Sequence, residues 1–148
     1  MQLKEAVEAA GAQVDVISKL LGTLKPAGGG EAVKVDKNYV TAASVLYDAV
    51  VIAGGAGSAD ALRRHGEAVD WVNETYRHCK TVAAVGDGVA LLRAAHLGEV
   101  QLADGDDVVV DRGVVTARTV GAGFTDALLA ALGEYRHWDR QDREMVPA

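Results

Sequence analysis

Asp87 is the side chain in this sequence best placed to do chemistry. It stands in KTVAAVGDGVALL, Lys80 to Leu92, between Gly86 and Gly88, where a small apolar run gives way to a second one. Thr81 to Val85 reads as a strand covered on both faces, and Val89 to Ala95 as a buried helix. A strand, a sharp glycine turn and a helix have the shape of a nucleophile elbow, which lifts one side chain to the top of a sheet beside backbone N–H groups able to hold an oxyanion. The tip here offers only Gly86 and Asp87. An aspartate opening a helix is expected to cap it, and backbone N–H donors that stabilise its charge make it a poor base.

The other candidates are weaker. Gly54-Gly55-Ala56-Gly57-Ser58 follows an apolar run, and helix N-termini with exposed N–H groups bind anions. Its spacing is neither that of a dinucleotide-binding turn nor that of a P-loop, so a tight strand-to-helix turn capped by Ser58 is expected, with Arg63 and Arg64 one turn on. Cys79 lies on the apolar stripe Val69, Val72, Tyr76 of a helix Glu67 to Cys79 and reads as a buried structural thiol, because a helix C-terminus does not lower a thiol pKa. The four histidines, His65, His78, His96 and His137, show no metal-ligand spacing. Asp104, Asp106 and Asp107 around Gly105 lack the position-six glycine and position-twelve glutamate of a calcium loop. No metal site is expected.

The elements that must position these residues read as an α/β protein of one domain over 1–148. The chain is 49% hydrophobic, and its 17 glycines against two prolines suit many tight turns between layered elements. A net charge of −6 argues against nucleic acid and against an anionic membrane surface. One cysteine and the absence of a long apolar run or basic leader give the expectation of a cytoplasmic protein without disulfides or a membrane span.

In chain order, Met1 to Gly11 is expected to be helix, Ala12 to Ile17 a strand and Gly22 to Ala32 a glycine-rich loop through Gly28-Gly29-Gly30. Val33-Lys34-Val35 and Tyr39-Val40-Thr41 read as a small hairpin about Asp36-Lys37-Asn38. Ala49 to Ala53 is a core strand. Val108 to Val110 and Val114 to Thr116 form a hairpin about Asp111-Arg112-Gly113. The last helix carries the stripe Phe124, Leu128, Ala131, Leu132 and Tyr135, extended by Trp138 toward the charged tail 139–148. Trp71 lies off the core stripe of its own helix. A helix before any strand is unusual for a doubly wound sheet, so an opening strand is expected to be missing from this stretch.

Three stretches in this order and spacing, YDAVVIAGG, KTVAAVGDGVALLRAAHLGEV and VVVDRGVVTARTVGAGFTDALLAAL, resemble the superfamily of intracellular cysteine proteases and class I glutamine amidotransferase-like proteins. The resemblance spans Tyr47 to Leu132 and implies a flavodoxin-like three-layer sandwich with a mostly parallel sheet. Catalytic members carry Ala-Ile-Cys-His-Gly at the elbow, and this sequence has Ala84-Val85-Gly86-Asp87-Gly88. The nucleophile position is thus Gly86, and the acidic residue that members place after their first strand has no counterpart.

A narrower resemblance takes in nearly the whole chain. The Gly-Asp elbow, the long glycine loop and the ending YRHWDR before Val146-Pro147-Ala148 are similar to the C-terminal domain of large-subunit heme catalases. That resemblance implies a non-catalytic accessory domain serving stability or assembly, with heme held only by the parent and with the catalase barrel or other copies of the chain as partners. The alternatives are a free-standing binding or holdase protein of this fold, and an amidase-type enzyme using Asp87. The weak ligand-binding candidates are Gly54, Gly55, Gly57, Ser58, Gly86, Asp87 and Gly88.

Overall fold

A computed structural model describes residues 2–26 and 29–140. Met1, Ala27, Gly28 and the terminal residues 141–148, with the Val-Pro-Ala ending, lie outside the described residues.

The centre is a four-stranded sheet of β5 (Ala49–Ile52), β6 (Thr81–Val85), β7 (Val109–Asp111) and β8 (Val114–Ala117), in the order β5-β6-β8-β7. β5, β6 and β8 run parallel, and β7 closes one edge antiparallel to β8. All five residues of β6 are buried, as its unbroken apolar run demands. Alternation along the strand sends Val82 and Ala84 to one face and Ala83 and Val85 to the other.

Each face is covered by helices, which makes three layers. On the first lie α2 (Ala56–Arg63), α3 (Gly66–Arg77) and α4 (Val89–Ala94), where Val72, Leu91 and Leu92 pack against Val82 and Val114. On the second, α1 (Gln2–Ala9) and α5 (Ala122–Gly133) bring Val7, Phe124 and Leu128 onto Ala83, Val85 and Val115. This is the mixed α/β, mostly parallel architecture that the sequence implies.

The β7–β8 turn explains why that hairpin was legible. Arg112 (φ 45°) and Gly113 (φ 73°) both take left-handed backbone, as a two-residue turn matched to strand twist requires. A Cβ on Gly113 would come within 2.0 Å of the His137 ring, so the glycine also seats that histidine.

Several expectations fail in the N-terminal part. Only β1 (Ile17–Ser18) survives of the strand expected over Ala12 to Ile17, and it pairs parallel with β4 (Lys37–Asn38). The N–H of Val16 goes instead to the Asp36 carboxylate at 2.9 Å. The expected hairpin of 33–35 with 39–41 does not form. β3 (Val33–Val35) pairs antiparallel with β2 (Gly22–Leu24), inside the expected loop. Residues 39–41 turn back because the Asn38 side-chain oxygen accepts from the N–H groups of Val40 and Thr41. Tyr135, expected in the core stripe, follows the end of α5 with φ 64° and is exposed.

The sequence YRHWDR forms a strap across the end of the sheet where β6 and β8 begin. The backbone N–H of His137 donates to Cys79 O at 2.7 Å, and its buried ring lies between the Thr81 hydroxyl (3.1 Å) and the Glu134 carboxylate (3.2 Å). Arg140 donates to the carbonyls of Tyr76, Arg112 and Lys80 and stacks on the Tyr76 ring at 4.3 Å. One side chain thereby ties α3, the β7–β8 turn and the entry of β6.

Candidate functional site

The elbow is where the sequence places it. After Val85 the chain makes a 3-10 turn over Gly86–Gly88 and enters α4 at Val89. Gly86 has φ 56°, the left-handed backbone of an elbow tip, which glycine adopts without strain.

Three of the candidate glycines meet there through bare backbone. A Cβ on Gly88 would lie 2.8 Å from Ile52 O and 3.0 Å from Ala53 O, and one on Gly54 would lie 2.9 Å from Val85 O. A Cβ on Gly86 would stand 3.2 Å from Arg118 O. Each glycine therefore lets one chain segment pass against another, so the space beside the elbow is taken up by main chain.

Asp87 is exposed and makes no side-chain hydrogen bond or ion pair among the described residues. It does not cap α4: the N-cap is Gly88, with no side-chain cap bond, because the 3-10 turn shifts the helix start past the aspartate. Ser58 is likewise no cap. Gly55, at φ 126°, holds the N-cap position of α2, and Ser58 lies exposed within its first turn beside Gly57. Arg63 pairs with Asp60 at 2.9 Å on the surface and Arg64 is exposed, so neither converges on the turn.

The remaining candidates also stay apart. Cys79 is 2% exposed with φ 57°, one residue past the C-cap His78, and so packs as a buried thiol just beyond the helix rather than within it. Trp71 is half-buried, donates to Ala42 O at 3.1 Å and tilts against the Tyr47 ring at 5.2 Å. Asp106 pairs with Arg118 at 3.1 Å in the open. Among the described residues no three His, Cys, Asp or Glu side chains gather as a metal set would require.

Two clefts, of about 270 and 290 Å³, lie at the opposite end of the sheet, beside Lys80 and beside Gly113. The sequence reading did not anticipate them. The available signal was YRHWDR, in which cations and aromatics alternate just after the last helix.

The sequence profile of the C-terminal domain found in long catalases matches residues 1–142. The chain belongs to that family. It is 40% identical over 148 residues to "Catalase HPII" of Mycobacterium avium, covering 97% of this chain and 21% of the relative. It is 33% identical over 139 residues to "Catalase-2" of Bacillus subtilis, covering 93% of this chain and 18% of that one. The chain thus spans about a fifth of the length of these relatives.

Solved structures agree on the fold. A two-domain protein of Anabaena variabilis containing DJ-1/ThiJ/PfpI-like and ferritin-like domains superposes with TM-score 0.80 at 30% identity, over 88% of this chain and 44% of that one. Schizosaccharomyces pombe DJ-1 superposes with TM-score 0.70 at 16% identity, over 97% and 85%. The flavodoxin-like fold that the sequence stretches imply is therefore present. Among the described residues no helix is long and apolar enough to cross a membrane.

Proposed function

We propose that this chain is a non-catalytic accessory domain of a long heme catalase, carried by a cytoplasmic parent and serving its stability or assembly. The observation that carries the reading is the glycine seam at the elbow. Where a hydrolase of this shape needs a nucleophile with open space before it, Gly86 brings no reactive atom, and Gly54, Gly86 and Gly88 lie against main-chain oxygens.

The chain's own residues do not fit a heme. A catalase iron takes a tyrosine ligand within a large apolar pocket. Tyr47 donates to Asp15 at 2.7 Å and accepts from Lys37 at 3.1 Å, while Tyr76 lies under Arg140. Tyr135 lies under Arg136 at 3.9 Å, and the half-buried Tyr39 lines neither cleft. Both clefts are smaller than the roughly 300 to 1,000 Å³ in which drug-sized ligands sit.

The same proposal covers the free edge of the sheet. β5 is paired on its β6 side only among the described residues. A strand from the parent, running ahead of α1, would satisfy its outer N–H and C=O groups.

A second reading, a binding or holdase protein, is favoured by the exposed apolar side chains Leu20, Leu21, Val40 and Leu46. Removing residues 1–148 from the parent distinguishes the two. The accessory reading expects lower thermal and denaturant resistance with turnover per heme nearly kept. Unchanged resistance, with loss only of the ability to hold unfolded clients in solution, selects the second reading.

A further inference from the structure

Lys80 is 5% exposed, yet no carboxylate lies within ion-pair distance of it among the described residues. Its ammonium donates to the carbonyl oxygens of Ser44 at 3.1 Å and Val45 at 3.2 Å. An ammonium has three donors, and two of them are used among the described residues. Burial pushes the Lys80 pKa down and the Arg136 charge pushes it further, while the Asp48 charge opposes them. A buried cation with no carboxylate at ion-pair distance is an expensive arrangement unless an anion completes it.

The cleft of about 270 Å³ opens at this residue and is lined also by Val45, Arg77, His78, Cys79, Arg136 and Trp138, with no acidic side chain among the described residues. In a protein of net charge −6 this is a local reversal of sign. Two of the lining cations have carboxylates of their own, Glu74 pairing with Arg77 at 3.1 Å (and with His78 at 3.5 Å) and Asp48 with Arg136 at 3.4 Å, so among the described residues Lys80 is the lining cation without one. The Arg136 side chain is 14% exposed and stacked on Tyr135, which fixes the plane of its guanidinium. Its Nη1 serves Asp48 and Tyr135 O, leaving Nε and Nη2 as donors of the kind that grip oxyanions in pairs. Trp138, largely exposed at the mouth, offers a flat apolar face.

We propose that this cleft binds a small oxyanion, a phosphate or carboxylate carried on a planar apolar body, with Lys80 and Arg136 holding the oxygens and Trp138 the body. The site lies at the end of the sheet where β6 begins, across the molecule from Gly86, and does not depend on the accessory-domain reading. A bound anion supplies a third acceptor to Lys80 and relieves the repulsion between the two cations.

The test is calorimetric titration of the 148-residue chain with phenyl phosphate, benzoate and inorganic phosphate, at constant ionic strength set by sodium chloride. Saturable binding is expected, with phenyl phosphate tighter than inorganic phosphate, and the ranking of phenyl phosphate against benzoate identifies the preferred oxygen group. Lys80→Gln and Arg136→Gln should each weaken it at least about tenfold, the loss expected for one charged hydrogen bond. Trp138→Leu should abolish the preference for the phenyl group while leaving inorganic phosphate binding in place. Because Lys80→Gln can fail to fold, the half-buried Arg136→Gln carries the test by itself. The proposal is overturned by no saturation up to about 10 mM or by equal affinity in Arg136→Gln. It is also overturned if saturation appears only after Asp142→Asn and Glu144→Gln, which would make the chain's own tail the occupant.

Discussion

Gly88 shows how a single missing side chain fixes the elbow. Its Cα faces Ile52 O and Ala53 O so closely that β5 and the turn can meet only if no Cβ intervenes. Gly88→Ala should therefore lower stability by about 1 to 3 kcal/mol, the usual cost of forcing volume into packed backbone. Urea denaturation measures it, with Gly105→Ala as control, since a Cβ at Gly105 meets nothing within 4 Å. An equal midpoint shift for both variants would refute the seam. Gly86→Cys places a thiol at the tip of the elbow, but at φ 56° and with its Cβ 3.2 Å from Arg118 O. No peptidase or amidase activity is expected from it, because none of the histidines makes a hydrogen bond to the turn that would let it serve as base. Turnover in a chromogenic amide assay, lost again on Asp87→Asn, would return the aspartate to the enzyme reading.

Asp15 supplies the residue-scale pH dependence. Hydrogen bonds from Lys37 and then Tyr47 hold its carboxyl below the ordinary value of 3.8, against a small opposing effect of burial. A carboxyl whose folded pKa lies below its unfolded value contributes stability above the unfolded pKa and loses it as pH falls through the folded one. The midpoint difference between the unaltered chain and Asp15→Asn should thus be constant above about pH 5 and vanish below the carboxylate range. A difference that persists at pH 2 would mean that Asp15 acts through packing rather than charge.

At the scale of elements, what the sequence made legible is what local chemistry decides. β6 is a run of five small or β-branched residues, and all five are buried. The β7–β8 hairpin is fixed by Arg112-Gly113, whose two positive φ angles suit its turn. The N-terminal strands differ from expectation because they are two or three residues long and, apart from Val35, not buried, so their partners are chosen by distant contacts rather than by pattern. Asp36 pairs with Val16 twenty residues away, and no periodicity announces that. The cap at Ser58 failed for a local reason: Gly55 starts the helix three residues earlier.

β5 carries the element-scale prediction. Its residues are only partly covered on average, with Val51 38% exposed, although the strand is parallel and its kind is normally buried on both faces. Extending the chain upstream by about 15 residues of a parent sequence, enough for one strand and its connection, should raise the melting temperature. Each fully buried apolar side chain that such a strand brings is worth roughly 1.5 to 3 kcal/mol, so the gain should reach several kcal/mol. Hydrogen exchange should slow at the β5 amides in the same variant. A longer chain that melts unchanged, with β5 still exchanging freely, would sink the idea that this edge receives a strand.

The whole molecule divides its labour between two ends of one sheet. At the elbow end backbone meets backbone; at the other end lie the His137 and Arg140 strap and two clefts, beside Lys80 and beside Gly113. Peroxide chemistry in a catalase needs an iron held by an axial tyrosine beside a dry distal cavity. Tyr47 and Tyr76 are engaged by charged neighbours, and withdrawing either would break the hydrogen bonds of Asp15 and Lys37 or the stacking of Arg140. The purified 148 residues, titrated with heme, should show no stoichiometric shift of the Soret band and no oxygen evolution from hydrogen peroxide above free heme. Free heme partitions onto exposed apolar side chains such as Leu20 and Leu21, so the decisive quantity is stoichiometry rather than absorbance alone. A one-to-one complex with tyrosinate-type absorption, lost in one single Tyr→Phe variant and turning over peroxide, would overturn the accessory-domain reading.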